Sequence, residues 1–241
     1  MNILIGVAKT RTLNAPFNRI AAIAEHYSMD VKLIEGNDDQ DAFITYPNPR
    51  RYNNATPKFE ALRNLALDGG YGALLLIDDD QLVEPDDIGL MLKVDASVIW
   101  GLTVWRGKQR RWSACLSSTP HFVNTMLDQL PLVARKVWGS AIPVVGHGNF
   151  CTLIKRTALE AGRFARPAHD NDHIKGPRYP GGDWYFARAC HEAGLSMQCH
   201  TGVLVGHIET ELGEVLYPDM QDGMPTVRIE PFVDEEKRHP W

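Results

Sequence analysis

The sequence predicts an α/β fold with a largely parallel central sheet flanked by helices. Short apolar runs alternate with segments of helical period through the first half of the chain, and Gly, Asn, Asp and Pro turn signals separate them. A sheet of this kind opens its ligand crevice at the carboxyl ends of its strands. The chain has 241 residues, enough for one well-buried α/β domain or for two small lobes fused around one sheet.

Ile3–Ala8 reads as a buried strand, and Phe17–His26 as a helix with Phe17, Ile20, Ala21 and Ala24 on one face. Val31–Ile34 is a second short strand that runs into Gly36-Asn37-Asp38-Asp39, and a polar loop rich in Pro, Asn and Arg extends from Tyr46 to Ala55. Thr56 and Pro57 supply an N-cap and a first helical position, Phe59, Leu62 and Ala66 an apolar stripe, and Gly69-Gly70 a stop. Ala73–Ile77 is the most hydrophobic short run of this half and fits a central strand covered on both faces. A helix starts near Pro85-Asp86-Asp87, and Ser97–Gly101 is the next strand.

The second half is less regular. Thr119–Val137 holds a helix-like stretch broken at Pro131, and Phe150–Ile154 is a strand followed by a short helix ending near Gly162. Arg166–Pro180 is a long polar loop carrying His169, Asp170, Asp172 and His173. Asp183–Ala193 is a helix with Phe186, Ala187, Cys190 and Ala193 on one face, closed by Gly194. Val203–Val205 is a last strand, followed at once by His207. The tail from Glu209 is acidic and contains Pro, so it is expected as a flexible lid or as disorder.

A net charge of -5 and a pI near 6.0 exclude a surface built throughout for nucleic acid. Arg106, Lys108, Arg110 and Arg111 form a local basic patch, either a solvated loop or an anion site. The first apolar run is too short for a signal-peptide core, and no stretch approaches the roughly 20 apolar residues of a membrane span. Cys115, Cys151, Cys190 and Cys199 show no CxxC spacing, so neither a zinc ribbon nor a disulfide framework is expected. A reducing, cytoplasmic setting follows.

Asp78, Asp79 and Asp80 stand directly after the most apolar strand. Three adjacent carboxylates repel one another, and a hard divalent cation that shares its shell with phosphates relieves that repulsion. In an extended segment Asp78 and Asp80 point the same way and Asp79 oppositely. The alternative is a plain polar turn, the reading that suffices for Asp86 and Asp87 at a helix start. An EF-hand fails, because its glycine and glutamate positions hold Val83 and Gly89. A haloacid-dehalogenase-type phosphatase puts its Asp-x-Asp near the N-terminus, and a nucleotidyltransferase puts a Gly-rich loop where Ala8-Lys9-Thr10-Arg11 stands.

Four passages, taken in order, resemble GT-A glycosyltransferases, particularly those like family 2. Leu62-Arg63-Asn64 followed by Tyr71 to Asp80 is similar to the family's "ARN…DxD" passage, and Ala96–Gly101 to the strand after it. Gly146-His147-Gly148-Asn149-Phe150 through Arg156 resembles the acceptor-side "G-x-G…L-I-R-R" segment. Gly182-Asp183-Trp184-Tyr185-Phe186, then Glu192-Ala193-Gly194 and Val205-Gly206-His207, resembles "ED-x-x-F…EAG…V-G-H", with Gly182 where the family has Glu.

The resemblance, over residues 3–208, implies a GT-A (Rossmann-like) domain with a nucleotide-sugar half in 1–105, an acceptor half in 106–208 and a tail or lid in 209–241. It implies a Mn²⁺ (or Mg²⁺) ion on Asp78, Asp80 and His207, with Asp79 beside the donor diphosphate. Imidazole favours manganese. Asp183 takes the place of the catalytic base, a role that coexists with capping the following helix. Asp38, in Asn37-Asp38-Asp39, and Arg63 fall where the donor base binds, with Tyr52 available to stack, and His147 falls on the acceptor segment. The activity implied is metal-dependent transfer of a sugar from a nucleoside-diphosphate donor to a hydroxyl of a small molecule, a glycan or a modified nucleic acid. The Trp105–Trp112 segment suits an anionic or stacked acceptor. The rival readings are a noncatalytic nucleotide-sugar or glycan-binding module and a metal-dependent phosphate-ester hydrolase.

Overall fold

The computed structural model describes residues 1–9, 11–35, 56–105, 109–118, 124–146, 148, 150–164 and 182–241. The first half is β1 (Ile3–Lys9), α1 (Asn14–Tyr27), β2 (Asp30–Glu35), α2 (Thr56–Asp68), β3 (Ala73–Ile77), β4 (Gln81–Leu82), α3 (Pro85–Leu92) and β5 (Val98–Leu102). The second is β6 (Cys115–Ser118), β7 (Asn124–Met126), a 3₁₀ turn at Leu127–Gln129, α4 (Pro131–Val137), β8 (Ala141–Pro143), β9 (Cys151–Lys155), α5 (Arg156–Ala161) and α6 (Gly182–Glu192). Four strands close it: β10 (Met197–Leu204), β11 (Gly206–Glu209), β12 (Glu214–Gln221) and β13 (Met224–Pro231).

The main sheet has seven strands in the order β2-β1-β3-β9-β5-β10-β8. The pairs β1–β2, β1–β3 and β5–β10 are parallel, whereas β9 runs antiparallel between β3 and β5, and β8 antiparallel to β10. Strand period explains the layers. Leu74 and Leu76 of β3 join one core cluster with Phe59, Leu62, Ala158 and Phe186 of α2, α5 and α6. Ala73, Leu75 and Ile77 join the other with Phe17, Ile20, Ile23, Ile88 and Met91 of α1 and α3. β3 is therefore apolar at every position because helices cover both of its faces. All four cysteines are free and buried in this core. Gly70 and Gly194, at φ +71° and +69°, end α2 and α6 in the left-handed conformation a side chain resists.

Two features differ from expectation. Pro131 opens α4 at its first turn, where its missing N–H costs nothing, and so breaks no helix. The segment from Glu209 is ordered: β12 and β13 form a hairpin, and with β11 and β4 a second, antiparallel sheet in the order β13-β12-β11-β4. Burial of Val215 and Leu216, and Arg228 lying 4.6 Å over the Tyr217 ring, supply the packing that the acidic composition hides. The last residues then strap α1. Asp234 Oδ1 accepts from the N–H groups of Asn14 and Ala15 at 2.9 Å, His239 packs 5.2 Å from the Phe17 ring, and Trp241 6.5 Å from it.

Candidate active site

The carboxyl ends of β1, β3 and β5 converge with the start of β9, where such a sheet places its crevice. Beyond β3 the chain turns sharply: Gln81 N–H donates to Asp78 O at 3.1 Å, so Asp79 and Asp80 occupy a turn. The alternation of side chains expected for an extended Asp78–Asp80 segment is thereby lost. Asp79 and Asp80 both face Arg11, whose Nη1 lies 3.2 Å from Asp79 Oδ1 and 2.9 Å from Asp80 Oδ2, and whose backbone N–H also donates to Asp79. Both carboxylates are buried, so this guanidinium relieves a repulsion that water cannot screen.

His207 reaches the turn through strand pairing. β11 is antiparallel to β4, with His207 opposite Gln81, and Ile208 N–H donates to Asp80 O at 2.9 Å. His207 Nδ1 lies 2.6 Å from the carbonyl oxygen of Val104. A carbonyl only accepts, so Nδ1 carries a hydrogen and Nε2 is the ring nitrogen left to face the turn. That nitrogen is 3.6 Å from Asp80 Oδ2. Arg11 Nη1, 2.9 Å from the same Oδ2, already places one cation beside this pair. Gln81, fully buried, fixes the carboxylate by donating from Nε2 to Asp80 Oδ1 at 2.9 Å, while Thr103 Oγ1 stands 3.4 Å from Gln81 Oε1.

Among the described residues no group of three or more His, Cys, Asp and Glu side chains forms a ready metal cluster. The donor set nevertheless fits a hard or borderline divalent ion. Mg²⁺-like ions take one or two carboxylates and complete their shell with water and substrate phosphate, and a ligating histidine typically donates its other N–H to a carbonyl, as His207 does to Val104. Asp78, whose N–H is tied to Phe150 O at 3.0 Å, sits at the same turn.

Asp183 lies one residue inside α6, in its first turn, not at the N-cap. Trp184 N–H donates to its Oδ1 at 3.0 Å. Burial pushes its carboxyl up from 3.8 to about 6, against the lowering effect of that N–H. The Trp184 ring closes over Gly146, where a Cβ would come within 2.8 Å of it, and the Phe150 ring packs 5.2 Å from that of His207. Gly146 thus meets the start of α6, and Phe150 meets the Asp80–His207 pair.

Arg63 is not part of this site. It is buried on α2, with Nε donating to Leu159 O at 2.7 Å and Nη1 to Glu60 Oε1 at 2.9 Å, so it clamps α2 to α5. Asp38 with its neighbours Asn37 and Asp39, Tyr52, His147, Arg106, Lys108 and the loop histidines His169 and His173 lie outside the described residues. Arg110 and Arg111 each pair with a carboxylate, Glu214 at 2.7 Å and Asp128 at 3.6 Å, so the described part of the basic patch is charge-balanced. Sequence reasoning missed Arg11 and Gln81. A basic residue just past the first strand was the available signal for Arg11; none marked Gln81.

No protein-family model and no curated protein matches the chain. Among solved structures, A197 from STIV superposes with a TM-score of 0.54 at 15% identity, covering 99% of this chain and 100% of that one. A point variant of Drosophila β1,4-galactosyltransferase 7 in complex with manganese, UDP-Gal and xylobiose matches at TM-score 0.44 and 12% identity, over 98% of this chain and 96% of that one. The catalytic domain of the same Drosophila enzyme with xylobiose matches at 0.47 and 11%, over 98% and 96%. The superposition on A197 over the full length of both chains shows a shared fold, and the strand order is the mostly parallel α/β arrangement expected. The fold is the mixed α/β arrangement that A197 shares. No described helix is long and apolar enough to cross a membrane.

Proposed function

We propose that the chain moves a sugar from a nucleoside-diphosphate donor to a hydroxyl acceptor, with Asp78, Asp80 and His207 holding a divalent cation, manganese before magnesium. The observation that carries this reading is the facing pair: Asp80 Oδ2 and His207 Nε2 are 3.6 Å apart, with Nδ1 of the ring engaged by the Val104 carbonyl so that Nε2 is the nitrogen on the Asp80 side. When bound, the ion supplies charge neutralisation for the departing diphosphate. Arg11 adds a second positive charge on the same wall, and its guanidinium, now 2.9 Å from Asp80 Oδ2, is a donor group suited to phosphate oxygens.

Asp183 takes the acceptor proton. Its Oδ1 is held by Trp184 N–H, which leaves Oδ2 to receive the hydrogen, and a carboxyl titrating at about 6 is ionised yet appreciably basic at neutral pH. Asp38 is assigned to the donor base and His147 to the acceptor, with residues 1–105 serving the nucleotide and 106–208 the acceptor. Asp80→Asn tests the assignment, because the amide keeps the size and an acceptor for Gln81 but loses the charge. Calorimetry with UDP and Mn²⁺ should show Mn²⁺-dependent binding in the parent protein, weakened by about tenfold or more in the variant. Equal Mn²⁺-dependent affinity in the two proteins would overturn the metal assignment.

A further inference from the structure

A cavity of about 380 Å³ opens beside the hairpin that links β5 to β6, between Arg110, Arg111, Asp128 and the β13 residues Pro225, Thr226 and Val227. It shares no residue with Asp78–Asp80, His207 or Asp183. Its volume falls in the range of small-molecule sites.

Trp112 locks its walls together. The Trp112 backbone N–H donates to Asp128 Oδ2 at 3.1 Å, and the indole Nε1 donates to Thr226 O at 2.9 Å. Asp128 is held in this frame with its side chain only 10% exposed. Its second oxygen, Oδ1, has no hydrogen bond and sits 3.6 Å from Arg111 Nη1, an ion pair too long to be a hydrogen bond. A buried carboxylate oxygen left in that condition costs free energy that a donor from a ligand would recover. Burial also pushes the Asp128 carboxyl upward, against the lowering contacts of the Trp112 N–H and Arg111.

The charge balance selects the ligand. Arg110 is paired with Glu214, and Arg111 with Asp128, so the cavity offers alternating donors and acceptors with no surplus charge. That pattern matches vicinal hydroxyl groups, which donate to a carboxylate and accept from a guanidinium, better than it matches an anion. Trp112 is buried and engaged at its indole N–H, so base stacking is not available from it.

One wall of the cavity is tied through the backbone to the active site. Val104, whose carbonyl orients His207, bridges to Trp112 across the hairpin, and Trp105 N–H donates to Arg111 O at 2.8 Å. We propose that this cavity is a subsite for a neutral, hydroxyl-rich sugar unit of the acceptor, held by hydroxyl donation to Asp128 Oδ1 and by the guanidinium of Arg111. Taking the sugar as part of the acceptor rests on the glycosyl-transfer reading; the cavity's affinity for a sugar does not.

Saturation-transfer NMR on the full chain tests this, with methyl glycosides of neutral hexoses, methyl glucuronoside and inorganic phosphate as separate probes. Neutral glycosides should give transfer, and Asp128→Asn should weaken their binding by about tenfold or more, as expected for a hydrogen bond to a charged group. Arg111→Gln should do the same, and its side chain, 36% exposed, can be changed without threatening the fold. No transfer from neutral glycosides, transfer from the anions alone, or equal transfer in parent and variants would overturn the subsite. Mn²⁺-dependent UDP binding, measured on the same parent sample, reports separately on the catalytic reading. Its loss with glycoside binding intact leaves the cavity standing and removes the acceptor role.

Discussion

If Asp183 is a half-buried base, replacing it should stabilise the protein while stopping the chemistry. Asp183→Asn keeps the volume and the acceptor that Trp184 N–H uses at 3.0 Å. In the folded chain the carboxyl titrates at about 6, against an ordinary value of 3.8. The folded state therefore holds more protons than the unfolded state between those two values, and stability falls as pH rises through that window. Below about 4 the carboxyl costs nothing; above about 6 the full penalty of the desolvated anion is present. The difference corresponds to about 3 kcal/mol, which solvent at a partly buried side chain reduces to about 1–2 kcal/mol. For a chain of this size that is about 2–8 °C in melting temperature. Calorimetric scans at pH 7.5 and pH 4 should thus show the Asn variant melting higher at the first pH and level with the parent at the second. Turnover should fall by about 10²–10⁴-fold, and the parent's rate should rise with pH along a limb centred near 6 that the variant lacks. Parallel melting curves at both pH values, with turnover retained, would refute both the raised carboxyl and its role as base.

Arg11→Gln should separate the two cations that share Asp80. Without the guanidinium 2.9 Å from Asp80 Oδ2, Mn²⁺ alone should bind more tightly, whereas UDP in the presence of Mn²⁺ should bind more weakly, and calorimetry reads both. A loss of affinity for both would mean that Arg11 only builds the turn. Asp234→Ala removes a carboxylate that serves the first two N–H groups of α1 from 220 residues away in sequence. By analogy with helix caps it should cost about 1–2 kcal/mol, or about 2–8 °C in melting temperature. An unchanged melting temperature would show that the terminal strap does not hold α1.

The layered sheet was legible because strand period and helix period write it directly: β3 is apolar throughout, and α2 carries Phe59, Leu62 and Ala66 at helical spacing, all buried. The direction of β9 was not legible. Phe150–Ile154 is equally apolar whether it runs with its neighbours or against them, and only the connections decide. Asp80 and His207 were found as motif positions, but their meeting depends on the β4–β11 register, in which a two-residue strand sets His207 opposite Gln81. Arg63 misled for a physical reason. A buried arginine on α2 can turn its guanidinium toward the crevice or toward a neighbouring helix, and the open carbonyl of Leu159 took it.

The ordered C-terminal segment changes what the site depends on. His207 lies on β11, whose inner neighbour β4 has two residues and whose outer neighbour β12 has eight, with β13 continuing the ladder beyond it. Most of the pairing that holds His207 in register therefore comes from residues beyond 208. The same hairpin supplies Thr226, which fixes Trp112, and Trp112 in turn bridges to Val104, whose carbonyl engages Nδ1 of His207. The segment after His207 thus acts on that side chain twice: through the strand that carries it, and through the residue that tells its two nitrogens apart.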